Sequence, residues 1–267
     1  MKLKPLLLVL TVFLVSLVAF ADKFYIFVDR LNVRSCPSIN CSVVKTLHFK
    51  DVVNSTGRAE YTPSFDWIEV GDGWVALQYV DYLPMKINGN LPIDFDINYS
   101  DSPLPPEYEP SDLVEIPVGY CLKSGLKLRK EAKEALIQML NAAKRAGYEI
   151  VVVSAYRSWY YQRKLYIGAI SEYGPDQTAV AKPGRSEHQL GLAVDLARKD
   201  KKCLLLKCFK HTPEYKWLVN NSYKFGFVQP YFKYNILYME EPWHFRYIGK
   251  KAAKEFYETY VRNRENM

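Results

Sequence analysis

"GRSEHQLGLAVDL" (184–196) begins as a loop of small and polar residues and ends as an apolar strand interrupted by one carboxylate. In "LAVDLA", strand alternation puts Leu192, Val194 and Leu196 on one face and Ala193, Asp195 and Ala197 on the other. A carboxylate bracketed by alanines in a core strand is costly to desolvate unless a cation meets it. The same alternation in "HFRYI" (244–248) places His244, Arg246 and Ile248 on one face, with Phe245 and Tyr247 on the other. Two strands that each present one ligand-type side chain can pair those faces over a common site, and His188 lies in the loop just before the first of them.

Around this pair the grammar is that of an α+β domain. "LRKEAKEALIQMLNAAKRAGYE" spaces Leu128, Ala135, Leu136, Met139, Leu140 and Ala143 as one helical face and stops at Gly147. "IVVVSAYRS" follows as a buried-type strand, "WYYQRKLYIGAISEYG" as a helix ending at Gly174-Pro175. "TPEYKWLVNNSYKFG" and "KKAAKEFYETYVRN" read as further helices on either side of the strand in "EPWHFRYIG". Helices and antiparallel strands interleave here without a regular βαβ alternation, so a mixed or antiparallel sheet with helices is expected over residues 111–267.

Upstream, residues 84–110 hold six prolines and no apolar period, and read as a semi-extended linker. Residues 22–83 are short β-branched and aromatic runs broken by Pro37, Gly57, Pro63, Gly71 and Gly73, the size and pattern of a small all-β barrel. "LNVRSCPSINCSVVKTLHFKD" followed by "WIEVGDGWVALQYV" resembles the bacterial SH3-like domain. Two arrangements are open for this module. It can tether the rest of the chain to a polymer through the linker, or pack on the following domain and shape its cleft.

The 267 residues carry a formal charge of +7, but lysines and arginines are scattered and form no block, which argues against a nucleic-acid partner. "MKLKPLLLVLTVFLVSLVAFADK" has Lys2 and Lys4, an apolar run and Ala19-Phe20-Ala21, the pattern of a secretory signal cleaved after Ala21. An uncleaved anchor is the alternative, because the run is almost long enough to span a bilayer. Cleavage would leave no membrane span and a protein secreted or held in the cell envelope, expected to be monomeric. Export suits disulfides. Cys36 with Cys41 and Cys203 with Cys208 are candidates, and Cys121 is left over; no C-x2-C occurs, so a zinc ribbon is excluded.

On spacing alone, His188 and Asp195 could be an ordinary hydrogen-bonded pair. Three ligands of the types His, Asp and His would nevertheless suit zinc and leave a coordination position for water. Glu241, three residues before His244, would be a carboxylate just beyond that shell, placed to move a proton.

"SAYRSWYYQ", "GRSEHQLGLAVDL" and "EPWHFRYIG" resemble the three signature segments of the zinc D-Ala-D-Ala carboxypeptidases related to the vancomycin-resistance enzyme. Ser186, His188 and Asp195 match the family's S-x-H-x6-D, and Glu241, Trp243 and His244 its E-x-W-H, with the similarity running from about Leu113 to Tyr260. The stretch "QPYFKYNILYME" before the second motif departs from the family, which commonly has a glycine-containing turn there. The resemblance implies one Zn2+ per chain on His188, Asp195 and His244, with Glu241 as catalytic base. Arg157 would stabilise the scissile carbonyl, and Ser186, Tyr156, Gln162 and Trp243 would contact substrate. The implied activity is D,D-carboxypeptidase action on peptidoglycan stem peptides, with the cell-wall polymer as partner. An endopeptidase or D-Ala-D-Ala dipeptidase of the same family is an alternative. So is a wall-binding protein with a non-catalytic peptidase fold, although an intact Glu241 beside the ligands has no use in a pure binder.

Overall fold

The computed structural model describes residues 22–231 and 239–262. The expected signal at residues 1–21 and most of the divergent loop before Glu241 lie outside the described residues. The front of the chain forms seven strands: Lys23–Ile26 (β1), Arg30–Arg34 (β2), Val43–His48 (β3), Val52–Tyr61 (β4), Asp66–Val70 (β5), Gly73–Ala76 (β6) and Val80–Tyr82 (β7). They make one antiparallel sheet in the order β3-β2-β6-β5-β4-β1-β7. Alternation is plain in β2, where Leu31 and Val33 are buried and Arg30 and Asn32 exposed. Strand β4 is exposed over most of its length.

The rear of the chain opens with a two-stranded pair, Leu113–Glu115 (β8) and Lys127–Arg129 (β9), and then helix Lys130–Arg145 (α1). Leu128, expected on the helix, sits instead in β9, two residues before the helix begins. Strand Ile150–Ser154 (β10), helix Trp159–Tyr173 (α2) and strand Ala193–Arg198 (β11) follow. Helix Pro213–Asn221 (α3), strands Phe227–Val228 (β12) and His244–Tyr247 (β13), and helix Lys250–Phe256 (α4) complete the order. The rear sheet runs β10-β11-β13-β12, antiparallel throughout. Helix α1 lays Ala135, Leu136, Met139, Leu140 and Ala143 on a core shared with Val152, Val194, Leu196, Phe245 and Tyr247. That is the helical period meeting one face of the strands.

Helix α2 joins the two halves. Ser158 caps its start, accepting from the Tyr161 backbone N–H at 3.2 Å, and Gly174 with φ 92° ends it. Its Trp159, Tyr166 and Ile170 complete the front core formed by Ile26, Phe27, Val33, Val75 and Val80. Tyr166 also donates through its hydroxyl to the Gln78 carbonyl at 3.1 Å.

The stretch 84–110 is not a free spacer. Ile97, Leu104 and Tyr108 are buried in the rear core, and Leu91, Ile93 and Phe95 pack against it. Arg246 Nη2 donates to the Ile93 and Phe95 carbonyls at 3.0 and 3.1 Å, and Gln189 Nε2 donates to those of Pro105 and Tyr108 at 3.0 and 3.3 Å. An irregular strap needs no apolar period to bury side chains one at a time, and its carbonyls find partners in side-chain donors of the rear domain. Proline content alone could not reveal those donors. Disulfides join Cys36 to Cys41 and Cys203 to Cys208, with Cα separations of 5.6 and 5.5 Å, and Cys121 is free and half-buried. Among the described residues no helix is long and apolar enough to cross a membrane.

Candidate active site

Register sets the first half of the site. Strands β11 and β13 pair so that Asp195 stands opposite His244 and Ala193 opposite Arg246. Val194, Leu196, Phe245 and Tyr247 go into the core on the other face. His188 arrives on a 3-10 turn, Glu187–Leu190, whose start is capped by the Ser186 hydroxyl accepting from the His188 backbone N–H at 3.4 Å. Gly191 then turns the chain into β11 with φ 66°, a left-handed conformation that favours glycine, and a Cβ there would lie 2.7 Å from Leu113 Cδ2 and require that side chain to shift.

Each imidazole is oriented by its far nitrogen. His188 Nδ1 is 2.7 Å from the Ala155 carbonyl, which can only accept, so Nδ1 carries the proton and Nε2 keeps its lone pair. His244 Nε2 lies 2.7 Å from Glu187 Oε2, which leaves Nδ1 as the free nitrogen. His188 Nε2, His244 Nδ1 and Asp195 Oδ1 are buried and have no hydrogen-bond partner among the described residues. One ligand atom from each of these three residues falls within 4.8 Å of the others. Leaving three buried polar atoms unsatisfied would cost about 1–3 kcal/mol each. A single cation coordinated by two nitrogens and a carboxylate oxygen removes that cost, and this donor set suits zinc.

The electrostatics of the metal-free protein match this arrangement. Burial lowers the His188 imidazole to about 4, with the nearby Arg157 guanidinium pushing the same way against Asp195. At His244 burial pulls down too, but the facing Asp195 and Glu187 carboxylates outweigh it and raise the ring to about 10, so in the metal-free protein a proton on this ring stands where a cation would. Burial would raise Asp195, and the two imidazoles hold it well below the usual carboxylate range. Glu241 Oε2 lies 3.8 Å from His244 Nδ1. Burial raises its carboxyl to about 7, with His244 and Arg157 opposing and Asp195 and Glu187 assisting. A divalent cation on the neighbouring ligands would lower this value and favour the ionised carboxylate, the form that accepts a proton.

The cleft over these groups has a volume of about 200 Å³ and is lined by Arg157, Gln162, Ser186, Glu241 and Trp243 together with the three ligand residues. Arg157 donates its backbone N–H to the His188 carbonyl at 3.2 Å, which fixes it beside the ligand turn. Tyr156 does not line the cleft. Its backbone N–H goes to the Lys127 carbonyl, and its hydroxyl points toward Glu109 Oε2 at 3.4 Å.

Glu187 was not among the residues singled out from sequence. Only 3% exposed, it holds His244 and also faces Arg246 Nε across 3.6 Å. Its signal was indirect: Arg246 shares the His244 face and needs a counter-charge. Thr178, Ala179, Val180 and Ala181, Leu205 and Tyr231 also line the cleft without any motif to mark them.

An antiparallel α+β domain that brings an N,N,O ligand set next to a carboxylate in a cleft has the parts that a metal-dependent hydrolase needs. The VanY family, described as D-alanyl-D-alanine carboxypeptidase, matches residues 125–250. The solved LdcB LD-carboxypeptidase, whose structure reveals the molecular basis of peptidoglycan recognition, is 42% identical with a TM-score of 0.55, covering 59% of this chain and 78% of its own. A mutant of the vancomycin-resistance D,D-pentapeptidase VanY from a VanB-type cassette, solved in complex with Zn(II), is 30% identical with a TM-score of 0.51, covering 62% and 93%. YodJ of Bacillus subtilis (strain 168) is 43% identical over 159 residues, covering 57% of this chain; the chain spans 58% of that relative's length. The chain belongs to the VanY family of D-alanyl-D-alanine carboxypeptidases. The front sheet lies outside the matched residues.

Proposed function

We propose that this protein is an exported, zinc-dependent D,D-carboxypeptidase that removes the terminal D-alanine from peptidoglycan stem peptides. The observation that carries this reading is the convergence of three orphaned ligand atoms, on His188, Asp195 and His244, beside Glu241. Zinc held there would supply Lewis acidity and a water activated near neutral pH. Glu241 takes a proton from the attacking water and returns it to the leaving amine. Arg157 faces the negative charge that develops on the scissile carbonyl oxygen, a contribution of roughly 3 kcal/mol for one well-placed donor. Gln162 spends its Nε2 on the Ala181 carbonyl at 2.8 Å, while its buried Oε1 has no partner among the described residues and can accept a substrate N–H. The Ser186 hydroxyl keeps its proton to donate, and Trp243 offers an apolar wall. The signal at residues 1–21 delivers the chain to the envelope. The front module, which we read as a bacterial SH3-like domain over 22–83, adds contact with the wall polymer.

A second reading has one observation in its favour. Identity is 42% to the LD-carboxypeptidase and 30% to the D,D-pentapeptidase, which supports LD-carboxypeptidase action, for which a tetrapeptide is the test substrate. Product masses after incubation of the zinc-loaded protein with a pentapeptide, a tetrapeptide, D-Ala-D-Ala and intact sacculi separate the two, and also identify dipeptidase or endopeptidase action. The D,D reading expects the pentapeptide to lose one alanine and the tetrapeptide to persist. Glu241→Gln should keep its metal and lose on the order of 10²–10⁴ in turnover; wild-type rates in that variant would remove Glu241 from the chemistry.

A further inference from the structure

The segment from Gly174 to Ser186 contains no helix or strand, yet it forms one wall of the cleft through Thr178, Ala179, Val180 and Ala181 and leads directly into Ser186, Glu187 and His188. Something outside it must hold it in place. Lys182 Nζ donates to the carbonyls of Leu77, in the 3-10 turn before β7, and of Val80, the first residue of β7 in the front sheet, both at 3.0 Å. Arg185 grips Asp81 of β7 with two bonds, Nε to Oδ2 at 3.0 Å and Nη2 to Oδ1 at 2.7 Å, and the Asp81 side chain is 9% exposed. The same guanidinium donates to the Ser100 and Asp101 carbonyls of the strap at 2.6 and 2.9 Å. Gly184 is pressed so closely on Leu104 that a Cβ there would lie 2.6 Å from its carbonyl oxygen.

Resting on the hydrolytic reading of the cleft, we propose that the front sheet is a positioning element of the active site. Asp81 and the Leu77 and Val80 carbonyls hold Arg185 and Lys182, and through them the segment that walls the cleft and delivers Ser186 and His188. The pairing is bidentate and nearly buried, so removing Asp81 takes a carboxylate partner from a guanidinium three residues before a metal ligand and leaves it only carbonyl contacts of the kind it makes to Ser100 and Asp101. Small displacements of catalytic groups are magnified in rate, because turnover depends on a narrow range of approach geometries. Asp81 is bonded to none of the three ligand residues and acts on the segment through Arg185 and, by its charge, Lys182.

The test uses the full chain with Asp81→Ala, Asp81→Asn and Lys182→Met. Three quantities are followed: kcat and KM on a soluble peptide, zinc stoichiometry, and amide hydrogen exchange in 178–188 compared with α1. Asp81→Ala is expected to lower kcat about tenfold and to speed exchange in 178–188 about tenfold, with α1 protection and zinc stoichiometry unchanged. Asp81→Asn, which keeps one acceptor, should recover part of both. If Asp81→Ala does not fold, Lys182→Met decides, since it keeps the aliphatic stem and removes only the ammonium group. Unchanged kcat in the folded variants overturns the proposal, whether or not exchange moves. A wild-type protein that cleaves no peptide, with 178–188 still losing protection in Asp81→Ala, refutes the hydrolytic reading while sustaining the mechanical coupling.

Discussion

On the front sheet, Lys45 meets Asp72 and Arg58 meets Glu69 on surfaces open to solvent, with side-chain exposures of 44% and 57% in the first pair. On the rear sheet, Asp195, His244 and Arg246 sit in strands that are buried on both faces, and Glu187 joins them from the ligand turn. Both sheets are antiparallel and both are rich in apolar residues. The front keeps its charges in water, where an ion pair contributes little. The rear removes them from water, where each must be matched or will destabilise the fold. Chemistry accumulates where charge is desolvated, and in this molecule that is one face of β11 and β13. Asp81 is the exception in the front, a carboxylate buried at the seam, and it is spoken for by Arg185.

The largest effect that would sharpen this contrast is loss of a ligand. His188→Ala should reduce peptide hydrolysis to background and abolish stoichiometric zinc on metal analysis, because two protein ligands do not make a closed N,N,O set. Stoichiometric zinc in that variant would break the assignment of the rear face. Chelation of the wild-type protein should likewise abolish activity, and added zinc should restore it.

A smaller effect is expected one step out. Glu187→Gln keeps an acceptor for His244 but removes the charge that holds its tautomer and faces Arg246. Metal affinity measured by competition with a chromophoric chelator should fall about 10- to 100-fold. Unchanged affinity would mean that the buried carboxylate balances Arg246 alone. The smallest effect belongs to the front. Lys45→Ala should shift stability by about 0.5 kcal/mol or less in a denaturant titration. A shift as large as that of a core truncation would show that the front surface carries energy its exposure does not suggest.

Much of this was legible from residues alone. Alternation in "LAVDLA" and "HFRYI" placed Asp195 and His244 on like faces, and the pairing of β11 with β13 sets them opposite each other. The helical period over 130–145 likewise needed no tertiary information. What could not be read were partnerships made across long stretches of chain. Glu187 meets His244 across 57 residues, and Arg185 meets Asp81 across 104. The packing of 84–110 is hidden from the sequence for the same reason, since its proline content describes its backbone and says nothing of the donors it lies against.

The sequence by itself determined the types of ligand, their order along the chain and the faces they occupy, because these follow from local backbone geometry and side-chain chemistry. Only the tertiary structure decided which nitrogen of each histidine is free and that Tyr156 turns away while Arg157 faces the cleft. It alone seated the front sheet against the segment that walls the site. Those outcomes depend on which distant donors and acceptors meet once water is excluded, and no local pattern encodes that.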